Sequence, residues 1–221
     1  MSDPFGLGAA LAFDLHEPTD PMTGDWRPLT TRISATMLRQ RVDHVRDALT
    51  PEGQEPVDAR TAASTEQFGL VARLVAAHIC AGALGLHLDL CTDSIRWRID
   101  DTSWLQLSFA TTDVPVNPLQ HTAIASLTRR IEKLYGVSAR VLWGNVGSAA
   151  NSTISLLGRT RPDLVEKARR SADELLADER IDGGALHVGP GFRRASCCLV
   201  YRAAIGLCGD CVLQRRETPR S

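Results

Sequence analysis

IRWRIDDTSWLQLSF (Ile95–Phe109) is the stretch on which the fold turns. Ile95, Trp97 and Ile99 alternate with polar residues, and Leu105, Leu107 and Phe109 do the same. A period of two belongs to strands with one buried face, and the intervening DDTS is a plausible hairpin connection. A hairpin near 94–110 is therefore expected. Around it the period is helical, so the expected fold class is α+β: a predominantly helical body, a small antiparallel β-sheet and an irregular C-terminal tail rich in cysteine.

Upstream, Leu38, Val42, Val45 and Leu49 fall at helical spacing and Pro51 ends that helix. PEGQEPVDAR reads as a loop, and Ser64-Thr-Glu-Gln67 as a capping box opening a long helix to about Leu86. Downstream, Asn117-Pro118 reads as a helix start, with Leu119, Ala123, Leu127, Ile131 and Leu134 on one face and Gly136 as the stop. Ser138 to about Gly158 forms another helix, and Thr160-Arg-Pro-Asp163 caps one carrying Leu164, Ala168, Leu175 and Leu176. Residues 1–30, rich in Pro, Gly and Asp, read as an irregular arm. The expected division is thus an arm over 1–30, a mainly helical domain over 31–190 and a tail over 191–221.

The formal net charge of −1 offers no basic field for nucleic acid. All but Lys133 and Lys167 of the 25 basic residues are arginine, a bias that lowers the weight of any single arginine. An early Asp3 and the lack of a positive first segment argue against a cleaved export signal. Leu74–Leu88 is shorter than the roughly 20 apolar residues a bilayer requires, so a buried helix is expected and no integral membrane segment. A cytoplasmic protein is predicted, with room for a peripheral place at the inner face of the membrane. In a reducing compartment, clustered cysteines favour metal or redox roles over disulfides.

Four of the six cysteines stand in CCLVYRAAIGLCGDC, Cys197 to Cys211. Cys208-Gly-Asp-Cys211 places two thiolates on one side of a tight turn, with Gly209 removing bulk where amides approach the sulfurs. Neighbouring side chains diverge in extended backbone. Cys197 and Cys198 therefore need a bent conformation to share one metal ion, or each serves a different atom. Four thiolates suit a tetrahedral zinc site or the four ligands of a [2Fe–2S] cluster. The doublet matches neither a paired-knuckle zinc ribbon nor plant-type ferredoxin spacing, so residue chemistry alone leaves both open.

FRRASCCLVYRAAIGLCGDCVL resembles the C-terminal segment of the FhuF-like ferric siderophore reductases. The likeness includes the Arg pair before the doublet and the Tyr-Arg after it. VLWGNVGSAA (Val141–Ala150) resembles a second stretch of that family. Nine residues, Leu199–Leu207, separate doublet from turn, one fewer than the family pattern has. The resemblance implies a [2Fe–2S] cluster held by Cys197, Cys198, Cys208 and Cys211. It implies one-electron reduction of Fe(III) in a siderophore, of hydroxamate type, with release of Fe(II). Oxygen-rich chelators hold ferric iron far better than ferrous iron, so adding an electron loosens the complex. Trp143, Asn145, Arg194 and Arg202 follow as substrate-binding candidates, and Arg193, Arg194, Arg202, Arg215 and Arg216 as positive charge that would stabilise an anionic centre.

No glycine-rich nucleotide loop is present in a strand–turn–helix context, so electrons are expected from a partner, a ferredoxin or a flavoprotein reductase. The alternatives are a non-enzymatic protein with a four-cysteine zinc site, and a [2Fe–2S] electron carrier or sensor. Cys80 and Cys91, with His78 and His87 nearby, fit no ligand spacing and are expected to be packing residues. His121 is expected in a first helical turn.

Overall fold

The computed structural model describes residues 3–100, 104–203 and 206–213. Its architecture is helical with one small sheet. The chain runs β1 (Asp14–Leu15), β2 (Arg27–Pro28), α1 (Leu29–Arg32), α2 (Ala35–Leu49), α3 (Ala59–Leu84), β3 (Arg96–Ile99), β4 (Leu105–Phe109), α4 (Ala123–Tyr135), α5 (Ala139–Thr160) and α6 (Val165–Leu176).

The hairpin stands where the alternation puts it, with Trp97 opposite Leu107 and Ile99 opposite Leu105. Asp101–Ser103 of its connection lie outside the described residues. The sheet is mixed rather than purely antiparallel: β2 and β4 flank β3 antiparallel, and β1 joins β4 in parallel. Both outer strands come from the segment expected to be an irregular arm. That segment is tied down by apolar residues spread among its turns: Leu7, Leu11 and Phe13 are buried, and Phe13 meets Phe109 edge-on at 6.0 Å. Arg73 of α3 then donates to the carbonyls of Ala9, Ala10, Ala12 and Leu105, joining arm and hairpin.

The central element is α3, packed against α2, α4, α5 and α6. Its buried residues cover most of its circumference, from Ala62 and Leu70 to Val75, Ile79 and Ala83, as expected of a helix with neighbours on all sides. At 26 residues it is long and apolar enough to span a bilayer, yet here its apolar surface is spent on those four helices. It starts earlier than the Ser64 capping box implied. Asp58 accepts from the amides of Arg60 and Thr61 and caps the helix, which leaves Ser64 buried inside it. The same correction applies to α4: Asn117 accepts from the Leu119 amide in a turn, and the helix begins only after Thr122. His121 accordingly lies before the helix, exposed, at φ +53°. Ser138 caps α5 through the Val141 amide, and Gly136 ends α4 at φ +64°.

The long neighbours α3 and α5 make the platform for the tail. After α6, residues 177–196 double back along α5 and deliver the cysteine segment to the α3–α5 side.

Candidate metal centre

The tail is seated before its first cysteine. Asp182 accepts from the Ala195 amide at 2.8 Å, from a turn in which Asp182, Gly183 and Gly184 all have positive φ (50°, 80° and 71°). Arg194 is 2% exposed. Its guanidinium donates to Asn145 Oδ1 at 2.8 Å, Ser148 Oγ at 3.2 Å, Val141 O at 3.0 Å and Ser196 Oγ at 3.2 Å. Three of these partners lie on α5. Close approach is possible because position 144 carries no side chain: a Cβ there would fall 2.1 Å from Ser196 Oγ and 2.8 Å from Arg194 Nη2.

Asn145 extends the network into α3. Its Nδ2 donates to Ser64 O, Ser64 Oγ and Gln67 Oε1, and Ser64 Oγ in turn donates to Cys198 O at 3.0 Å. On the other flank Ser148 Oγ donates to the Asp210 carboxylate, and the Arg194 amide to Asp210 O at 3.3 Å. The doublet and the Cys-Gly-Asp-Cys turn are thus attached to the same two buried helices. The attachment is a buried polar network rather than apolar contact alone.

Cys198 Sγ and Cys208 Sγ stand 3.4 Å apart. Two thiolates on one tetrahedral metal, with metal–sulfur bonds of ~2.3 Å, are separated by about 3.7 Å. Cys197 Sγ accepts from the Leu199 amide and Cys211 Sγ from the Leu213 amide, both at 3.4 Å. These are the amide–sulfur bonds that tune metal thiolates. The bend needed by the doublet is supplied at Leu199, a non-glycine residue at φ +71°. A Cβ on Gly209 would meet nothing within 4 Å among the described residues.

Burial, and then the Cys198 thiol beside it, push the Cys208 thiol far above its ordinary pKa. Burial also raises Cys197, where Cys198 and Cys211 add to the effect while the Leu199 amide and Arg194 oppose it. Thiols so close resist ionising together unless a cation sits among them. Among the described residues no three Cys, His, Asp or Glu side chains converge on one ion site. The sulfurs present a close pair with two flanking thiols, beside a cavity of about 160 Å³ bordered by Phe68, Asn145, Ser148, Arg194, Cys198 and Cys208. Four thiols, two sulfur-directed amides and an adjoining cavity fit an iron–sulfur centre.

The other candidates separate. Trp143 and Asn145 are two positions apart on α5 and so project about 200° apart. Asn145 is fully buried beneath the cysteines, whereas Trp143 faces a basin with Arg140, Arg180 and Ala195, the Arg180 guanidinium lying 4.4 Å over its ring. Arg202 is exposed, 3.5 Å from Asp58 at the head of α3. Burial of the Asp58 carboxyl favours its neutral form, but the hydrogen bonds from Thr61 and the charge of Arg202 outweigh that and hold its pKa below the ordinary value. Arg215 and Arg216 lie outside the described residues.

Cys80 is fully buried, its thiol pushed up to about 12, as a packing residue should be. Cys91 is exposed, contrary to the packing expected of it. Burial, with His87 adding, takes His78 down to about 4.

Ser64, Gln67, Gly144, Ser148 and Asp210 were not singled out as site residues from the sequence. A signal existed: Ser64 and Gln67, and Asn145 and Ser148, are polar pairs at i,i+3 on helices that are otherwise apolar.

No curated protein matches the chain. Residues 194–213, the span from the buried arginine through both cysteine pairs, match the FhuF 2Fe-2S C-terminal domain, the family that the cysteine segment resembles.

Proposed function

We propose that this chain is an iron–sulfur ferric siderophore reductase that uses Cys197, Cys198, Cys208 and Cys211 as the ligands of a [2Fe–2S] cluster. The observation that carries the reading is the sulfur arrangement within the matched span: a close Cys198–Cys208 pair, with Cys197 and Cys211 each tuned by its own amide. Two irons divide four thiolates into pairs, which suits this arrangement better than the single convergent tetrahedron of a zinc site. The cluster supplies a one-electron carrier between a donor protein and the ferric chelate.

The residues around it do the positioning. Ser64, Asn145 and Arg194 hold the doublet, and Ser148 holds the turn through Asp210. Tyr201, Leu207, Val212 and Leu213 are exposed around the cysteines and give apolar purchase for the organic arms of a chelate or for a donor surface. Arg202 adds a solvent-facing charge at that rim. Asn145 and Arg194 act from beneath the site, and substrate contact falls to the exposed rim. One electron converts Fe(III) to Fe(II), the hydroxamate oxygens lose their preference, and Fe(II) leaves with no bond in the ligand broken. The electron donor is a ferredoxin or flavoprotein reductase, and the compartment is the cytoplasm, where such donors and imported chelates meet.

The test is to mix dithionite-reduced protein, without oxygen, with ferric hydroxamate chelates in the presence of an Fe(II) trap. Reoxidation of the protein with one trapped Fe(II) per electron is expected. A centre that no ferric chelate reoxidises would make this an electron carrier or sensor instead.

A further inference from the structure

Arg194 is a cation in an unusual place. It is 2% exposed, and all four groups that take its hydrogen bonds are neutral: an amide oxygen, two hydroxyls and a backbone carbonyl. Its Nε is buried without a hydrogen-bond partner. Among the described residues the other arginine buried to a similar degree, Arg32, is paired directly with the Glu66 carboxylate. Burying a guanidinium among neutral groups is costly unless negative charge lies within reach of its field.

That negative charge is at hand. Arg194 borders the same cavity as Cys198 and Cys208. The Asp210 carboxylate is one hydrogen bond further on, through Ser148. Four thiolates around an iron–sulfur core carry a net negative charge that grows by one on reduction. A fixed cation beside them therefore stabilises the reduced form more than the oxidised form.

Resting on the function proposed above, we infer that Arg194 is the buried counter-charge of the centre, and that through it occupancy of the cysteine site is coupled to the docking of the tail on α5. Arg194 is a positioning residue, acting on the sulfurs and on α5 rather than on substrate. With the centre in place, its burial is compensated and the tail is clamped. Without the centre, it is a poorly compensated cation and the clamp weakens. An exposed arginine would not behave so, because water and salt screen its field.

The experiment compares wild type, R194K, R194Q and R130Q, each loaded without oxygen. Arg130 is exposed on α4 and serves as a control for loss of one charge. Iron and sulfide per chain are measured first, then the reduction potential, then the rate of trypsin cleavage in the tail with and without the centre.

R194Q is expected to disfavour reduction tenfold or more, about 59 mV for one electron. R194K and R130Q should stay within threefold of wild type. Removal of the centre should speed tail cleavage in wild type at least tenfold, and much less in R194Q. An R194Q protein that cannot be loaded, beside an R194K protein that loads and keeps its potential, supports the same assignment.

The inference is overturned if R194Q loads fully and keeps the wild-type potential. It is equally overturned if R194K and R194Q both fail to load, since the guanidinium fork and not the charge would then be what matters. A wild-type chain that holds no iron contradicts the proposed function itself, a result distinct from either.

Discussion

Replacing Cys208 by serine is expected to lower the iron bound per chain at least tenfold and to abolish electron transfer to ferric chelates. Cys208 is one of the two sulfurs of the closest pair, 3.4 Å from Cys198. A serine hydroxyl is a harder, far less acidic donor that does not replace a thiolate at an iron–sulfur centre. The loss should be local. The buried body built on α3 does not depend on Cys208, so the melting transition of the metal-free variant should match that of metal-free wild type. Cys91→Ser is the control: its thiol is exposed and away from the tail, and iron content should be unchanged. Iron analysis and thermal melts of the two variants check both halves of this expectation. A Cys208→Ser protein with full iron content would remove Cys208 from the ligand set.

Gly144→Ala should disconnect the tail while improving the helix that carries it. Alanine in a helix interior is favoured over glycine by about 1 kcal/mol. Here the added Cβ would lie 2.1 Å from Ser196 Oγ and 2.8 Å from Arg194 Nη2, and both of those side chains are buried. Something must move, and the segment with the least packing behind it is the tail. Overpacking at a tight contact costs about 1–3 kcal/mol, and every 1.4 kcal/mol is tenfold in an equilibrium. Tail docking, read as protection from trypsin, should weaken about tenfold or more, with iron content falling alongside and helical circular dichroism unchanged. Gly158→Ala is the comparison, since its Cβ would meet only Val165 Cγ2 at 3.9 Å. That variant should keep its iron and gain up to about 1 kcal/mol of stability.

The same glycine shows where sequence reading stops. At Gly144 the segment Arg194–Ser196 crosses α5 in close contact. Nothing in the spacing says which segment crosses, because the contact joins residues some fifty positions apart. Helix existence was legible, since the apolar periods of α2, α4, α5 and α6 are regular and their stops are strong. Two starts were not. Ser64 and Asn117 carry side chains that suit caps, but Ser64 is drawn into the tail network and Asn117 closes a turn, while Asp58 and Thr122 stand at the true starts. The first thirty residues were harder still. Two-residue strands have no period to detect, and only their pairing with the β3–β4 hairpin makes them strands.

The cysteines show the opposite balance. Their crowding and the segment around them were legible as a metal or cluster site, and the matched family agrees. Burial was not legible. Arg194 is one of many arginines, a bias that lowers the weight of each, and Asn145 reads as a substrate contact. Both are interior because α3 and α5 bring Ser64, Gln67 and Ser148 to the same spot, which depends on tertiary packing rather than on local pattern.

Central to the proposed function is an iron–sulfur centre held by Cys197, Cys198, Cys208 and Cys211. The most direct test is the iron, acid-labile sulfide and visible spectrum of the full chain purified without oxygen. About two irons and two sulfides per chain are expected, with charge-transfer absorption that bleaches on reduction. A colourless protein carrying one zinc per chain would contradict it.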